Sequence, residues 1–155
     1  MCATMEIAID DPARPDVVDL LAEHLADMHA ISPIGSVHAL DVSGLLAPEV
    51  TFWTLRRDGE LLGCGALKEL APDHGEVKSM RTATRARGTG IATALLRHLL
   101  DQALGRGYTR VSLETGSHDF FAPAHRLYER HGFTRCGPFG DYRADPNSVF
   151  FTRTL

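Results

Sequence analysis

Asp58-Gly59 separates two strand-like runs, Thr51 to Arg57 and Leu61 to Leu70. An Asp-Gly pair suits the two-residue turns whose positive φ angles match the twist of paired strands, so the spacing predicts a hairpin. Pro72-Asp73-His74-Gly75 predicts a second turn, and Glu76 to Thr82 a third strand. The middle of the chain is therefore expected to be an antiparallel meander, and everything else must pack against it.

Before the meander, Met5 to Ile9 reads as a strand and Asp11-Pro12 as a turn. A helix is expected from Arg14 to Ala30, with Val17, Leu20, Leu21, Leu25 and Met28 at helical spacing. Ile31 to Asp41 contains Pro33 and Gly35 and reads as a loop, with a short helical turn near Val42 to Leu46. After the meander, Gly90 to Leu104 reads as a helix whose apolar stripe is Ile91, Leu95, Leu96, Leu99 and Ala103. Gly105 and Gly107 end it. Tyr108 to Glu114 is a strand, and Ala124 to His131 a short helix with Pro123 in its first turn. Phe133 to Cys136 and Val149 to Leu155 are the last strands, separated by the loop Gly137 to Ser148. This order predicts an α/β (α+β) fold in a single domain over residues 1–155. Its core is a mixed, mostly antiparallel sheet of about six or seven strands, with about four helices on its two sides.

The length of 155 residues suits one domain, and the net charge of −4 argues against a general nucleic-acid binder. Cys2, Cys64 and Cys136 are scattered and odd in number, which speaks for a reducing compartment. Met1 to Asp10 carries acids without a long apolar run, and no stretch approaches the ~20 apolar residues of a membrane span. A cytoplasmic protein without membrane partners is expected. The eight histidines form no His-Glu-x-x-His pattern and no pairing with cysteine, so no metal is expected. Cys64 lies mid-strand among leucines and reads as a core residue rather than an acyl carrier.

Arg85-Ala86-Arg87-Gly88-Thr89-Gly90-Ile91 lies between a strand and a helix. Gly88 and Gly90 let the backbone approach a ligand. The free N–H groups and dipole of the helix start favour an anion, with Arg85 and Arg87 beside it. A diphosphate fits such a cradle. Ile91-Ala92 stands where a nucleotide-binding P-loop needs Lys-Ser/Thr. Thr93 stands where the dinucleotide fingerprint needs a third Gly or Ala.

Arg85-x-x-Gly88-x-Gly90 resembles motif A of the GCN5-related N-acetyltransferases, Gln/Arg-x-x-Gly-x-Gly/Ala. Downstream, Ala124-His125-Arg126-Leu127-Tyr128-Glu129-Arg130-His131-Gly132-Phe133 resembles motif B, with its Leu-Tyr-x-x-x-Gly-Phe core. The motifs are one helix and one strand apart, as in that family. The resemblance runs from Asp58 to the C-terminus. Leu113 to Gly116 and Cys136 to Tyr142 look like a bacterial small-molecule branch. Two departures stand out. Thr84 occupies a position where many relatives have Pro, and Gly116 to Phe121 lacks the Asn that many relatives use to bond the pantetheine arm.

The resemblance implies transfer of the acetyl group of acetyl-coenzyme A to an amine by direct attack in a ternary complex. It implies a sheet splayed between the fourth and fifth strands. The pantetheine arm would pair with the backbone of Met80, Arg81 and Thr82. The diphosphate would rest on amides from Arg87 through Gly88, Thr89, Gly90 and Ile91 to Ala92. Arg81, Arg85 and Arg87 would face the 3′-phosphate and diphosphate rather than nucleic acid.

Tyr128 would bond the departing thiolate; its plainer alternative is a core tyrosine anchoring a helix. An alkylamine of pKa ~10.4 is neutral about once in 10³ molecules at pH 7, a cost of about 4.6 kcal/mol. A carboxylate that takes its proton, directly or through water, would help. Glu76 is the candidate base, on a strand face expected to carry residues 76, 78 and 80; otherwise it is an edge charge near a turn. Glu114 is a second candidate. The acceptor would meet the first helix and the loop after it, where His29, Ser32, Ser36 and His38 cluster, together with Asp141 and Tyr142 of the last long loop. Each of these also reads as a solvated loop residue. A small-molecule amine is the expected acceptor. A protein or peptide acceptor, or a coenzyme A sensor without turnover, is the alternative, and pairing of sheet edges offers a route to a homodimer.

Overall fold

The structure is a computed structural model that describes residues 4–31 and 42–155, and the backbone alone for residues 24–31. In chain order the elements are β1 (Met5–Ile9), α1 (Pro15–Ile31), α2 (Val42–Leu45), β2 (Val50–Arg57), β3 (Glu60–Ala71), β4 (His74–Thr82), α3 (Ile91–Gly105), β5 (Arg110–Gly116), α4 (Ala122–Arg130), β6 (Thr134–Cys136) and β7 (Ser148–Thr154). Short 3₁₀ turns at Thr84–Ala86 and Asp119–Phe121 lead into α3 and α4. The seven strands form one sheet in the order β1-β2-β3-β4-β5-β7-β6. Every pairing is antiparallel except β4 with β5.

The expected hairpin forms as its sequence requires. Asp58 and Gly59 both take positive φ (50° and 85°), and Arg57 faces Glu60 across a two-residue turn. The second turn is tighter than expected. Only Pro72 and Asp73 leave the sheet, and Ala71 pairs directly with His74. Gly75 is a strand glycine here, because a Cβ on it would lie 2.8 Å from the Tyr108 ring.

Those two residues carry the topology. β4 and β5 pair over three positions only, His74 with Arg110, Gly75 with Val111 and Glu76 with Ser112. Beyond Glu76 the strands part. Side chains lock the joint: His74 Nε2 lies 2.7 Å from Ser112 Oγ, which lies 3.0 Å from Thr152 Oγ1 on β7. Arg110 Nη2 reaches His74 Nδ1 at 3.4 Å; because Arg can only donate, the imidazole proton sits on Nε2 and points to Ser112. Burial and the Arg110 charge both hold the His74 pKa below its usual value.

Further along β4, Ser79 has φ 53° and the β3 pairing jumps between Cys64 and Ala66. This bulge breaks the simple alternation expected for residues 76, 78 and 80. Glu76 and Lys78 keep a common face, whereas Met80 turns to lie beside Leu99 of α3 under Gly65. The α3 stripe is buried as expected, with Leu100 added to it. Of the α1 stripe, Val17, Leu20 and Leu21 are buried, and the side chains of Leu25 and Met28 lie outside the described residues. Cys64 is fully buried, and burial pushes its thiol up to about 12, the state of an inert core residue.

Helix α3 sits close on the sheet because β3 has no side chain at Gly63. A Cβ there would lie 2.8 Å from Leu95 Cδ1 and 2.9 Å from the Arg81 carbonyl oxygen. Gly63→Ala should therefore cost about 1–3 kcal/mol in urea denaturation. Gly137→Ala, with open space around its Cβ, should stay within about 0.5 kcal/mol of wild type. Equal effects of the two substitutions would contradict this packing.

Candidate active site

The parting of β4 and β5 opens a cavity of about 660 Å³. Its walls are β4 from Glu76 to Thr82, β5 from Glu114 to Gly116, the turn before α3, the Leu127–Tyr128 face of α4, and Tyr142 from the β6–β7 loop. At one end is the glycine turn. Gly88 and Gly90 take φ 75° and 86°, and neither would find an atom within 4 Å of an added Cβ, so the backbone faces open space. The Arg87 N–H is already bonded to the Thr84 carbonyl at 3.3 Å. The run of available amides thus begins at Gly88, one residue later than expected, and continues through Thr89 and Gly90 to Ile91 and Ala92 in the first turn of α3. An anion placed there meets free donors and the positive end of the helix dipole.

One expected contact falls elsewhere. The Arg85 side chain turns back to the hairpin, donating to Glu60 at 2.6 Å and to the Leu61 carbonyl at 2.8 Å. It ties the turn to β3 and does not line the cavity. The Thr89 hydroxyl donates to the Ala86 carbonyl and shapes the turn, while its amide remains in the run expected to meet the diphosphate. Arg87 and Arg81 do line the cavity, and Arg130 of α4 joins them. Arg130 carries no signal in the sequence, since only the packing of α4 in the fold brings it to the cavity wall. Thr84 secures the start of the turn through its side chain: its hydroxyl donates to Glu23 of α1 at 2.7 Å.

The splay itself is wedged open. A Cβ on Gly116 would meet the Phe121 ring, and His125 Nε2 donates to the Gly116 carbonyl at 2.7 Å. Together they hold α4 against the end of β5 and place Tyr128 in the cavity wall. Tyr128 packs against Phe133 and Phe151 with ring centroids 5.8 and 5.9 Å apart. Burial, then the Glu114 charge, push its phenol up to about 12, so it keeps its proton as a hydrogen-bond donor.

Opposite the glycine turn, three groups close a triangle. Tyr142 Oη donates to Glu76 Oε2 at 2.7 Å, and Lys78 Nζ lies 3.1 Å from the same oxygen and 2.8 Å from Tyr142 Oη. Glu76 is only 3% exposed. The Tyr142 ring rests on Phe139 and Phe150. Burial and the neighbouring Glu76 raise its phenol well above the usual range. Glu114 enters the same wall from β5. Burial raises its pKa from an ordinary 4.5 to about 7; Ser148 and Lys78 oppose the rise, while Glu76 and Asp145 add to it. Asp141, expected beside Tyr142, is exposed and does not line the cavity. The side chains of His29, Ser32, Ser36 and His38 lie outside the described residues. Among the described residues no group of three His, Cys, Asp or Glu side chains is placed to hold a metal, and no helix is long and apolar enough to cross a membrane.

The raised Glu114 pKa fixes a pH dependence of stability. The folded state holds this proton up to about pH 7, while the unfolded chain releases it near 4.5. Stability is therefore lost as pH rises through that window and stays lower above it. Glu114→Gln should stabilise the protein by on the order of 2–3 kcal/mol more at pH 8 than at pH 4, read by urea denaturation. A substitution effect independent of pH would contradict the burial of this carboxyl.

The sequence model of the Acetyltransferase (GNAT) family matches residues 17–133. YsnE of Bacillus subtilis, described as an uncharacterized N-acetyltransferase, is 52% identical over 151 residues, spanning 97% of this chain and all of the relative. The IAA acetyltransferase of Azospirillum brasilense is 37% identical, with 96% and 97% of the two chains covered. Among solved structures, N-acetylglutamate synthase of Neisseria gonorrhoeae, complexed with coenzyme A and N-acetyl-glutamate, matches all of this chain and 36% of its own at a TM-score of 0.75 and 22% identity. The fold, the splayed sheet, the glycine turn and these similarities agree: the chain is an acyltransferase and belongs to the GNAT family of acetyltransferases.

Proposed function

We propose that the protein transfers the acetyl group of acetyl-coenzyme A to the primary amine of a small molecule, by direct attack with both substrates bound. The observation that carries this reading is a single cavity that joins the free amides of Gly88 to Ala92, the Tyr128 phenol and the Glu76–Lys78–Tyr142 triangle. The amides take the diphosphate, with Arg87 and Arg130 beside it. The edge of β4 from Met80 to Thr82, no longer paired with β5, takes the pantetheine arm along its backbone. Tyr128 stands in the α4 wall as a neutral phenol able to bond the sulfur as it leaves.

Tyr142, with its aromatic supports, lines the far end, which suits a small acceptor. The structure carrying N-acetyl-glutamate and other relatives named for amino-acid acetylation point to acceptors of that size. A thiol-release assay with acetyl-coenzyme A should show turnover on at least one amine from a panel of α-amino acids and alkylamines, and none on lysine peptides. Turnover on peptides alone, or binding of acetyl-coenzyme A with no turnover on any amine, would overturn this reading. Tyr128→Phe should lower kcat on the order of 10²-fold while leaving acetyl-coenzyme A affinity nearly unchanged; full turnover in that variant would remove Tyr128 from the chemistry.

A further inference from the structure

Two carboxylates face the acceptor end of the cavity, and their surroundings differ. Glu76 Oε2 already accepts from Tyr142 at 2.7 Å and pairs with Lys78 at 3.1 Å. That oxygen is therefore already engaged by two donors from the protein itself. Glu114 lines the same cavity from the end of β5; Ser148 of β7 is its hydrogen-bonding neighbour, and no ion pair among the described residues engages its carboxylate. The groups around it are Lys78 and Glu76 from β4, Tyr128 from α4, Asp145 from the β6–β7 loop and Ser148 from β7. Lys78 is committed to Glu76, so of the two like charges Glu76 is the one compensated.

We propose that Glu114 is the base that takes the proton of the acceptor ammonium, and that Glu76 is a positioning residue that holds Lys78 and Tyr142 in place. This rests on the N-acetyltransferase reading above. The ammonium gives one proton to the Glu114 carboxylate. The freed nitrogen pair forms the C–N bond to the thioester carbonyl, and the C–S bond breaks with its electron pair leaving on sulfur. The sulfur takes a proton from Tyr128, which regains one from the new amide nitrogen. Glu114 returns its proton to solvent, the one proton released per turnover. The raised pKa of Glu114 fits this role, since a base works best when it titrates near the working pH. Two carboxylates in one site, one engaged by Lys78 and Tyr142 and the other without an ion pair, divide the labour between them.

The test is the pH dependence of kcat/KM with the best alkylamine of the panel and, separately, with a weakly basic aryl amine. Wild type should show a rising limb centred near pH 7 with the alkylamine. Glu114→Gln should lose that limb and fall on the order of 10²–10³-fold at pH 7, with the aryl amine far less affected and acetyl-coenzyme A affinity retained. Glu76→Gln should keep the limb but move it to lower pH, because a neighbouring negative charge is gone and Lys78 is released toward Glu114. Carbon-13 titration of the glutamate carboxyls in wild type should show one group titrating near pH 7, a readout that does not require the variants to fold. A limb that survives Glu114→Gln, a limb abolished by Glu76→Gln, or no such carboxyl titration would each overturn the assignment. A wild type silent toward every amine would overturn the parent reading as well, whereas an active wild type with an unchanged Glu114→Gln profile overturns this assignment alone.

Discussion

Three residues of parallel pairing between β4 and β5 set the whole active site. Over His74 to Glu76 the strands are hydrogen-bonded, and the His74–Ser112–Thr152 side-chain chain pins that joint to β7. Beyond it the bulge at Ser79 and the packing of Phe121 against Gly116 carry the strands apart. A sheet normally satisfies its backbone groups strand by strand. Here the interruption leaves a stretch of β4 with one edge open inside the protein, beside a helix whose first amides are also open. Polar donors and acceptors left unpaired at such a place are the mark of a ligand that supplies the missing partners. An extended acyl-carrying thiol with an anionic tail matches that pattern.

The second property of the site is its division of charge. The glycine-turn end offers amides and Arg87 to anions, and Arg81 and Arg130 line the same cavity. The far end offers two carboxylates, of which Lys78 compensates one. Tyr128 lies in the wall between, kept protonated by burial. In the proposed reaction, the amine that loses a proton would meet the carboxylates and the sulfur that gains one would meet Tyr128. Burial sharpens both effects, because charges interact more strongly where water is excluded.

Much of this is legible in the sequence. The Asp58-Gly59 hairpin, the α3 stripe and the glycine turn follow from local rules, and the structure has them where the residues place them. What was misread depends on contacts distant in sequence. His74 and Gly75 read as a turn because glycine after proline and aspartate punctuates loops; only Tyr108, 33 positions on, shows that Gly75 is a close-packed strand residue. Arg85 read as a phosphate ligand because it adjoins the glycines, yet Glu60 and the Leu61 carbonyl claim it. Glu76 and Tyr142 were both singled out, but nothing local reveals that they touch across 66 positions with Lys78 between them. Arg130 carries no local signal because its place in the cavity wall is a tertiary property.

The central claim is that the parted strands and the glycine turn together grip an acyl-coenzyme A. The most direct measurement is an amide nitrogen-15 titration of the protein with coenzyme A. Saturable shifts concentrated at Gly88 to Ala92 and at Met80 to Thr82 are predicted, with the His74–Glu76 joint little moved. Absence of binding by folded protein, or shifts confined to other surfaces, would contradict the account.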